Sequence, residues 1–396
     1  MKEDLIVVTV LGKDRPGLVA DITQEIAGVA ANIVDIEQSV IRGLFSMFML
    51  IDLEYARVDY ASFSDILRKK SDQLGTTLSL TPFASYAGAI KPKRDRLESI
   101  TIMGKDKPGI VSKISRTLYD AGANIERIKM IARGELLVME MLVDLNKTVD
   151  AAHLREALRK VGEDIGMDIV VQPESSKQYR KRLIVFDMDS TIVDAEIIDE
   201  LAKTAGVGRQ VADITAEGME GKLDFEESLR KRVRLLKGLP VDALEEIKNN
   251  MKLTTGSEEL LRALKSMGFK LALISGGFTY FTDELKNRLG FNYAYANKLV
   301  IKDGKLTGEI SGDVIDSEKK AKIVQEIMRK ENISKEEVVA VGDGANDRIM
   351  LKNAGLGIAF NAKEVLKKVA DGSITKNNLK GLIYCLGIDE KHLEKE

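Results

Sequence analysis

The chain has 396 residues, 44% hydrophobic and 31% charged, with 60 basic against 62 acidic side chains and a formal net charge of -2. This balance describes an ordered chain of two or three domains and gives no general attraction for nucleic acid or an anionic membrane. No apolar run approaches the roughly 20 residues that span a bilayer, and Met1-Lys2-Glu3-Asp4 leads straight into a strand pattern, so a cytoplasmic location is expected.

An internal repeat dominates the first half. VTVLGKDRPGLVADI at residues 8–22 returns as ITIMGKDKPGIVSKI at 100–114, an offset of 92 that matches Asp14 to Asp106, Gly17 to Gly109 and Asn32 to Asn124. It continues to MLIDL at 49–53 and MLVDL at 141–145, apart from a one-residue shift around Arg42-Gly43 and Arg133-Gly134. Each copy reads strand, turn, helix, strand, strand, helix, strand. In the first, residues 5–11 are apolar and β-branched and form a strand. Asp14-Arg15-Pro16-Gly17 then opens a helix. Asp14 is expected to supply a cap oxygen, Pro16 to preset the first turn and Gly17 to let the backbone approach closely. Leu18, Ile22, Ile26 and Val29 mark the apolar face of that helix. Strands follow from Ala31-Asn32-Ile33 and over 45–53, and a second helix over 61–74.

This order resembles the ACT domain, a small ferredoxin-like α/β sandwich that commonly binds amino acids. The resemblance implies one such domain at 1–90 and another at 91–176. Edge strands and helix faces in such modules suit side-by-side pairing, hence a homodimer. Each helix N-terminus after the turn offers N–H groups to a carboxylate, and each Asn an amide. Asp14, Gly17, Asn32, Asp106, Gly109 and Asn124 are therefore the residues expected at an amino-acid ligand, with serine as the regulatory candidate. The same features also serve a module that only folds and dimerises.

Residues 172–182, QPESSKQYRKR, are polar, contain a proline and end in a basic cluster; they read as a linker with a solvated basic face. The pattern then changes. Residues 183–186, 270–274 and 338–341 are short apolar runs suited to a buried parallel sheet, separated by helical patterns. A doubly wound, Rossmann-like α/β domain over 177–396 follows, with chemistry expected at the carboxyl ends of its strands.

The rare residues narrow that chemistry. The only cysteine, Cys385, lies in an apolar stretch and reads as a buried structural thiol, and no Cys-x5-Arg loop exists. The two histidines, His153 in a charged helix and His392 in a charged tail, both lie away from any glycine-rich turn, which argues against a His-based triad, a phosphohistidine mechanism and a multi-histidine metal site. Carboxylates, hydroxyls, Lys and Arg remain.

Three clusters gather such groups directly after apolar strands: Asp187-Met188-Asp189-Ser190-Thr191, Ser275-Gly276-Gly277, and Gly342-Asp343-Gly344-Ala345-Asn346-Asp347. A carboxylate such as Asp187 can attack phosphorus without a base to activate it. It needs a cation between itself and an anionic phosphate, and hard oxygen ligands favour Mg²⁺. Ser275 and the glycine N–H groups suit phosphate oxygens, and Lys320 can offset phosphoryl charge. Any one of these turns alone is compatible with a helix cap. Three in this order are hard to explain by folding needs.

The arrangement resembles the haloacid dehalogenase superfamily. That resemblance implies Asp187 as nucleophile and Asp189 as general acid/base. Mg²⁺ would be held by Asp187, the Asp189 backbone carbonyl and Asp343, with Asp347 supporting. Ser275, Gly276, Lys320 and Asn346 would lie at the phosphoryl group; Lys320 is preferred to Lys319 because Ala321 follows. A helical cap is expected over about 197–265. Val193-Asp194-Ala195-Glu196, AEGMEGKLDF at 216–225 and SLRKRV at 228–233 narrow the resemblance to the phosphoserine-hydrolysing branch. It implies hydrolysis of O-phospho-L-serine, the last step of serine biosynthesis. Glu196 would receive the amine, Arg232 the carboxylate, and Met219 and Phe225 would shape the lid. Taken alone, Arg230, Lys231, Arg232 and Arg234 read as a solvated helix face. A phosphatase of another small phosphomonoester and an amino-acid sensor with a vestigial enzyme domain are the competing readings.

Overall fold

The computed structural model describes residues 5–85, 96–133, 136–145, 149–177, 181–219, 222–375 and 378–388. The chain divides into two compact units, Met1–Lys93 and Arg94–Glu396. Among the described residues no helix is long and apolar enough to cross a membrane.

The first unit is the first repeat: β1 (Leu5–Lys13), α1 (Leu18–Gly28), β2 (Asn32–Ile41), β3 (Leu44–Asp52), α2 (Tyr60–Leu74) and β4 (Thr77–Pro82). Its antiparallel sheet has the order β2-β3-β1-β4. Alternation along β1 sends Ile6, Val8 and Val10 inward, where Leu18, Ile22 and Ile26 of α1 and Phe63 and Leu67 of α2 pack against them. Leu11, Ile41, Leu44 and Phe48 point to the opposite face and are exposed.

The expected cap on α1 is not formed. Its N-cap is Gly17, left-handed at φ 94°, with no side-chain cap, and Asp14 instead donates its N–H to Gly43 O at 2.8 Å. Gly17 is needed for that backbone conformation, not for close approach: an added Cβ would meet only Asp21 Oδ2 at 3.9 Å. Gly109 plays the same part in the second repeat, at φ 92°.

The second unit begins with the second repeat: β5 (Leu97–Gly104), α3 (Ile110–Asp120), β6 (Asn124–Arg133), β7 (Leu137–Asp144), α4 (Ala151–Ile165) and β8 (Met167–Pro173). It continues with β9 (Leu183–Phe186), α5 (Ile197–Thr204), α6 (Gly208–Met219), α7 (Phe225–Leu235), α8 (Val241–Asn250), α9 (Ser257–Ser266), β10 (Lys270–Phe278) and α10 (Thr279–Leu289). The rest comprises β11 (Tyr293–Lys302), β12 (Lys305–Ser311), α11 (Ser317–Glu331), β13 (Val338–Gly342), α12 (Arg348–Asn353), β14 (Leu356–Phe360), α13 (Glu364–Lys367), β15 (Gly372–Ile374) and α14 (Gly381–Cys385).

One eleven-stranded sheet runs through both parts, in the order β12-β11-β10-β9-β13-β14-β15-β8-β5-β7-β6. The central strands are parallel and buried on both faces, which explains their unbroken apolar runs. Leu183, Val185, Ala272 and Ala340 meet Ile323, Val324 and Ile327 of α11; Ile184, Phe186 and Leu273 share the opposite core with Leu260, Leu264 and Phe281. Helices α5–α8 leave the sheet between Val193 and Leu253, which form an antiparallel bridge, so α9 stays with the core and packs toward β10.

The two parts meet at β15 and β8, through Gly372 and Val170. A Cβ at Gly372 would fall 2.6 Å from Val170 Cα, so only glycine permits this approach. The seam carries polar bonds as well: Val171 N–H donates to Asp371 O at 2.9 Å, Gln172 Nε2 to Cys385 O at 3.0 Å, and Arg159 pairs with Glu364 at 3.1 Å. The stretch read as a linker therefore starts inside β8, with Gln172 buried; residues 178–180 lie outside the described part. Residues 378–388 cover the sheet face of the second repeat: Met103 and Val138 share a core with Leu382 and Ile383. The equivalent positions in the first repeat, Leu11 and Ser46, lie on the uncovered face.

Candidate active site

Parallel strands bring the three sequence clusters to one edge of the sheet. Asp187 follows β9, Ser275–Gly277 lies late in β10, and Asp343 follows β13. The Asp187 N–H donates to Val341 O at 2.9 Å, which ties the first cluster to the third.

Lys320, on α11 and fully buried, donates from Nζ to Asp187 Oδ1 and to Asp347 Oδ1, both at 2.7 Å. The neighbouring Lys319 turns outward and pairs with Asp313 at 3.3 Å. Helix phase explains the difference: α11 packs on the sheet through Lys320, Ile323, Val324 and Ile327, and residue 319, about 100° round the helix from 320, falls on the exposed flank of that face.

Asp187, Asp343 and Asp347 each bring a carboxylate oxygen within 4.8 Å of the others. One ammonium does not balance them. Burial, and then Asp347, push Asp187 well above the ordinary carboxylate range, and the same two causes lift Asp343 to about 8. Burial opposes the charge on Lys320, but Asp187 and Asp347 hold its pKa above the usual lysine value. Surplus negative charge among hard oxygen donors fits a divalent cation. Asp347 already accepts from Lys320 on one oxygen and from the Gly344 N–H, at 3.1 Å, on the other, which leaves Asp187 and Asp343 the freer carboxylates.

Asp189 stands across from this group. Its Oδ1 accepts the Ile197 N–H at the start of α5 at 2.9 Å, and its Oδ2 accepts from Ser275 Oγ at 3.2 Å. Burial, and then Glu196, raise its carboxyl to about 7, a value that lets it both give and take a proton near neutrality. Gly277 makes this meeting possible, since a Cβ there would fall 2.8 Å from Asp189 Oδ2 and 2.9 Å from Met188 Cε.

Of these groups Asp187, Asp189 and Asp343 line a cavity of about 990 Å³, together with Glu196, Phe225, Arg232, Gly276 and Asn346, while Ser275, Lys320 and Asp347 are buried behind them. The charge run on α7 divides in two. Arg230 and Lys231 pair outward with Glu226 and Glu227, at 2.8 and 2.9 Å, while Arg232 turns into the cavity. Burial lowers the Arg232 pKa, with Asp199, Glu196 and Asp189 acting against it. Phe225, the first residue of α7, reaches across to the core, where its Cζ would lie 2.9 Å from a Cβ at Gly276. The Met219 side chain lies outside the described part.

Sequence reasoning missed several lining residues. Ser190, left-handed at φ 55°, donates from Oγ to Glu196 Oε1 at 2.8 Å. Asn361 and Lys363 reach the cavity from the turn after β14, a strand that carried no motif to draw attention to it. The six residues expected at a regulatory ligand are not part of this cavity. They sit at the β1–α1 and β5–α3 turns and at the starts of β2 and β6, where Asn124 Nδ2 donates to Glu126 Oε1.

Fold and carboxylate set together define a haloacid dehalogenase-like hydrolase, and a family model of that description matches residues 181–355. An ACT-domain model matches 4–81 and 99–172. A phosphoserine phosphatase from Archaeoglobus fulgidus is 53% identical over 89% of this chain and all of its own length. One from Streptomyces coelicolor is 35% identical over 98% of this chain and 93% of its own. The solved structure of a haloacid dehalogenase family hydrolase from Salmonella enterica serovar Typhi, 30% identical, aligns with a TM-score of 0.65 over 73% of this chain and 98% of its own. The chain belongs to the phosphoserine phosphatase family.

Proposed function

We propose that this chain hydrolyses O-phospho-L-serine to L-serine and phosphate, with Mg²⁺, through an aspartyl-phosphate on Asp187. The observation that carries the reading is a single cavity lined by the Lys320-paired nucleophile Asp187, by Asp189 and Asp343, and by Glu196 and Arg232. Arg232 receives the substrate carboxylate and Glu196, steadied by Ser190, its ammonium. An Asp187 oxygen forms the bond to phosphorus as the serine Oγ–P bond breaks, and Asp189 gives the leaving oxygen its proton. Water then attacks the aspartyl-phosphate, Asp189 takes its proton, and phosphate leaves with Asp187 restored. Lys320, Ser275, the Gly276 backbone and Asn346 hold the phosphoryl oxygens. Asp187, Asp343 and the Asp189 carbonyl would hold Mg²⁺, with Asp347 supporting; when bound, the ion neutralises charge between nucleophile and phosphate.

Phosphate release from phosphoserine is measured with and without Mg²⁺, beside phosphothreonine, sugar phosphates and p-nitrophenyl phosphate. Asp187→Asn is expected to abolish turnover and leave the melting curve close to that of the parent. Turnover that survives this substitution, or equal rates on compounds lacking amine and carboxylate, would overturn the reading.

The repeats form a homodimerising module that takes serine as a regulatory ligand. The exposed apolar face of the first repeat, with Leu11, Ile41, Leu44 and Phe48, supports the dimer, because the equivalent face of the second repeat is covered by residues 378–388. The fragment beginning at Arg94 leaves the eleven-stranded sheet whole. It is expected to be monomeric, active and free of any non-competitive response to serine; a dimeric fragment with the parent's serine response would remove this role.

A further inference from the structure

We propose that Asn297 is a positioning residue that sets the phosphate cradle and the Lys320 helix in register with each other. The proposal rests on the reading of Ser275 and Lys320 as phosphoryl-holding groups.

The parallel ladder between β10 and β11 pairs Ile274 with Tyr295 and next pairs Phe278 with Asn297. Four steps on β10 thus match two on β11, and Ser275–Gly277 leaves the ladder. That departure puts the Ser275 hydroxyl beside Asp189, but it also takes backbone polar groups out of their regular pairing inside the sheet. The Asn297 side chain, 2% exposed, makes up the pairing. Its Nδ2 donates to Gly276 O at 2.8 Å. Its Oδ1 accepts the Ile315 N–H, also at 2.8 Å.

Both bonds lead to chemistry. The peptide whose oxygen Asn297 holds carries the Gly277 N–H at its other end. That N–H donates to Ser275 Oγ at 2.7 Å, and Ser275 Oγ donates onward to Asp189 Oδ2 at 3.2 Å. Turning the peptide would release the serine hydroxyl from its direction toward the acid/base carboxyl. On the other branch, Ile315 precedes Asp316, whose Oδ1 accepts the Lys319 N–H at 2.8 Å and so caps α11. Lys320 follows on that first turn. A donor and an acceptor on one short planar group are needed at position 297: aspartate lacks the donor, leucine lacks both, and a buried group left without its partner is costly.

The test uses the full-length enzyme with Mg²⁺ and compares Asn297→Leu, of similar volume, with Asn297→Asp, which keeps shape and acceptor. Readouts are kcat per folded protein on phosphoserine and on p-nitrophenyl phosphate, the inhibition constant of inorganic phosphate, and the thermal midpoint. Both variants are expected to lose kcat on the two substrates by the same factor, roughly 10²-fold for the leucine variant, as for loss of one preorganised donor in an active site. Inhibition by phosphate should weaken at least tenfold. Because p-nitrophenyl phosphate and inorganic phosphate lack the amino-acid part, these readouts stand even if the phosphoserine reading fails. A lowered thermal midpoint with kcat per folded protein and phosphate inhibition within twofold of the parent would reduce Asn297 to a fold residue and overturn the proposal. Unequal losses that fall on phosphoserine alone would overturn it too. Should the leucine variant not fold, the aspartate variant decides by the same criteria.

Discussion

Replacing Lys320 by methionine keeps length and apolar stem but removes the cation between two carboxylates. Nζ lies 2.7 Å from each; the side chains of Lys320 and Asp347 are 0% exposed and that of Asp187 is 5% exposed, so bulk water cannot take over the lost partner. Breaking a buried pair this way costs about 3–5 kcal/mol. For a unit of this size that corresponds to a fall of roughly 5–8 °C in the melting midpoint. Catalysis should lose about 3–4 kcal/mol of transition-state stabilisation, or 10²–10³-fold in kcat, because a fixed charge at the phosphoryl oxygens is gone. The assay pairs calorimetry in EDTA and in saturating Mg²⁺ with phosphate release. Mg²⁺ is expected to restore part of the midpoint, since a cation among Asp187, Asp343 and Asp347 takes up the same charge, and to restore little of kcat. A midpoint within 2 °C of the parent in EDTA, together with kcat within threefold, would refute the electrostatic argument.

Asp343→Asn should raise the Mg²⁺ concentration needed for half-maximal activity by roughly tenfold or more, since a ligand charge is lost; an unchanged Mg²⁺ titration would remove Asp343 from the metal site. Arg232→Ala should cost about 2–5 kcal/mol in kcat/KM for phosphoserine and much less for p-nitrophenyl phosphate, and equal losses would assign Arg232 to the fold or the phosphoryl group. At the seam, burial raises the Glu98 pKa against the opposing pull of Arg155 and Arg96. A carboxyl whose folded pKa is raised binds its proton more tightly in the folded state, so stability falls as pH climbs from the unfolded value through the folded one. Glu98→Gln should therefore raise the midpoint at pH 7–8 relative to the parent and leave it nearly unchanged near pH 4; a lower midpoint at pH 7–8 would show that the pairs with Arg155 and Arg96 outweigh burial.

The catalytic end of the fold was readable because its elements follow short-range rules. Apolar runs at residues 183–186, 270–274 and 338–341 announce buried parallel strands, and Asp, Ser and Gly directly after them mark the edge where ligands bind. The repeats were readable because identity at one fixed offset needs no physics. The α1 cap was misread because Asp14 before Pro-Gly looks like an N-cap, whereas Gly17 has already turned the chain left-handed and taken that place. Gln172 was read as linker because polarity is a weak guide where a side-chain amide bonds to a backbone carbonyl 213 residues away. Asn297 carried no signal, because its two partners, Gly276 and Ile315, meet only in three dimensions.

The β15–β8 seam also bears on how the protein comes apart. Three segments of sequence read as modules, but the sheet leaves two bodies able to unfold cooperatively, Met1–Lys93 and Arg94–Glu396. Hydrogen exchange at Val171, whose N–H is held by Asp371, should follow the catalytic strands and not the homologous positions of the first repeat. The two copies of one duplicated module thus hold different thermodynamic ranks. A packing defect at Met103 or Val138 draws on the stability of the enzyme itself, whereas one at Val8 or Met47 is confined to the first repeat's own core.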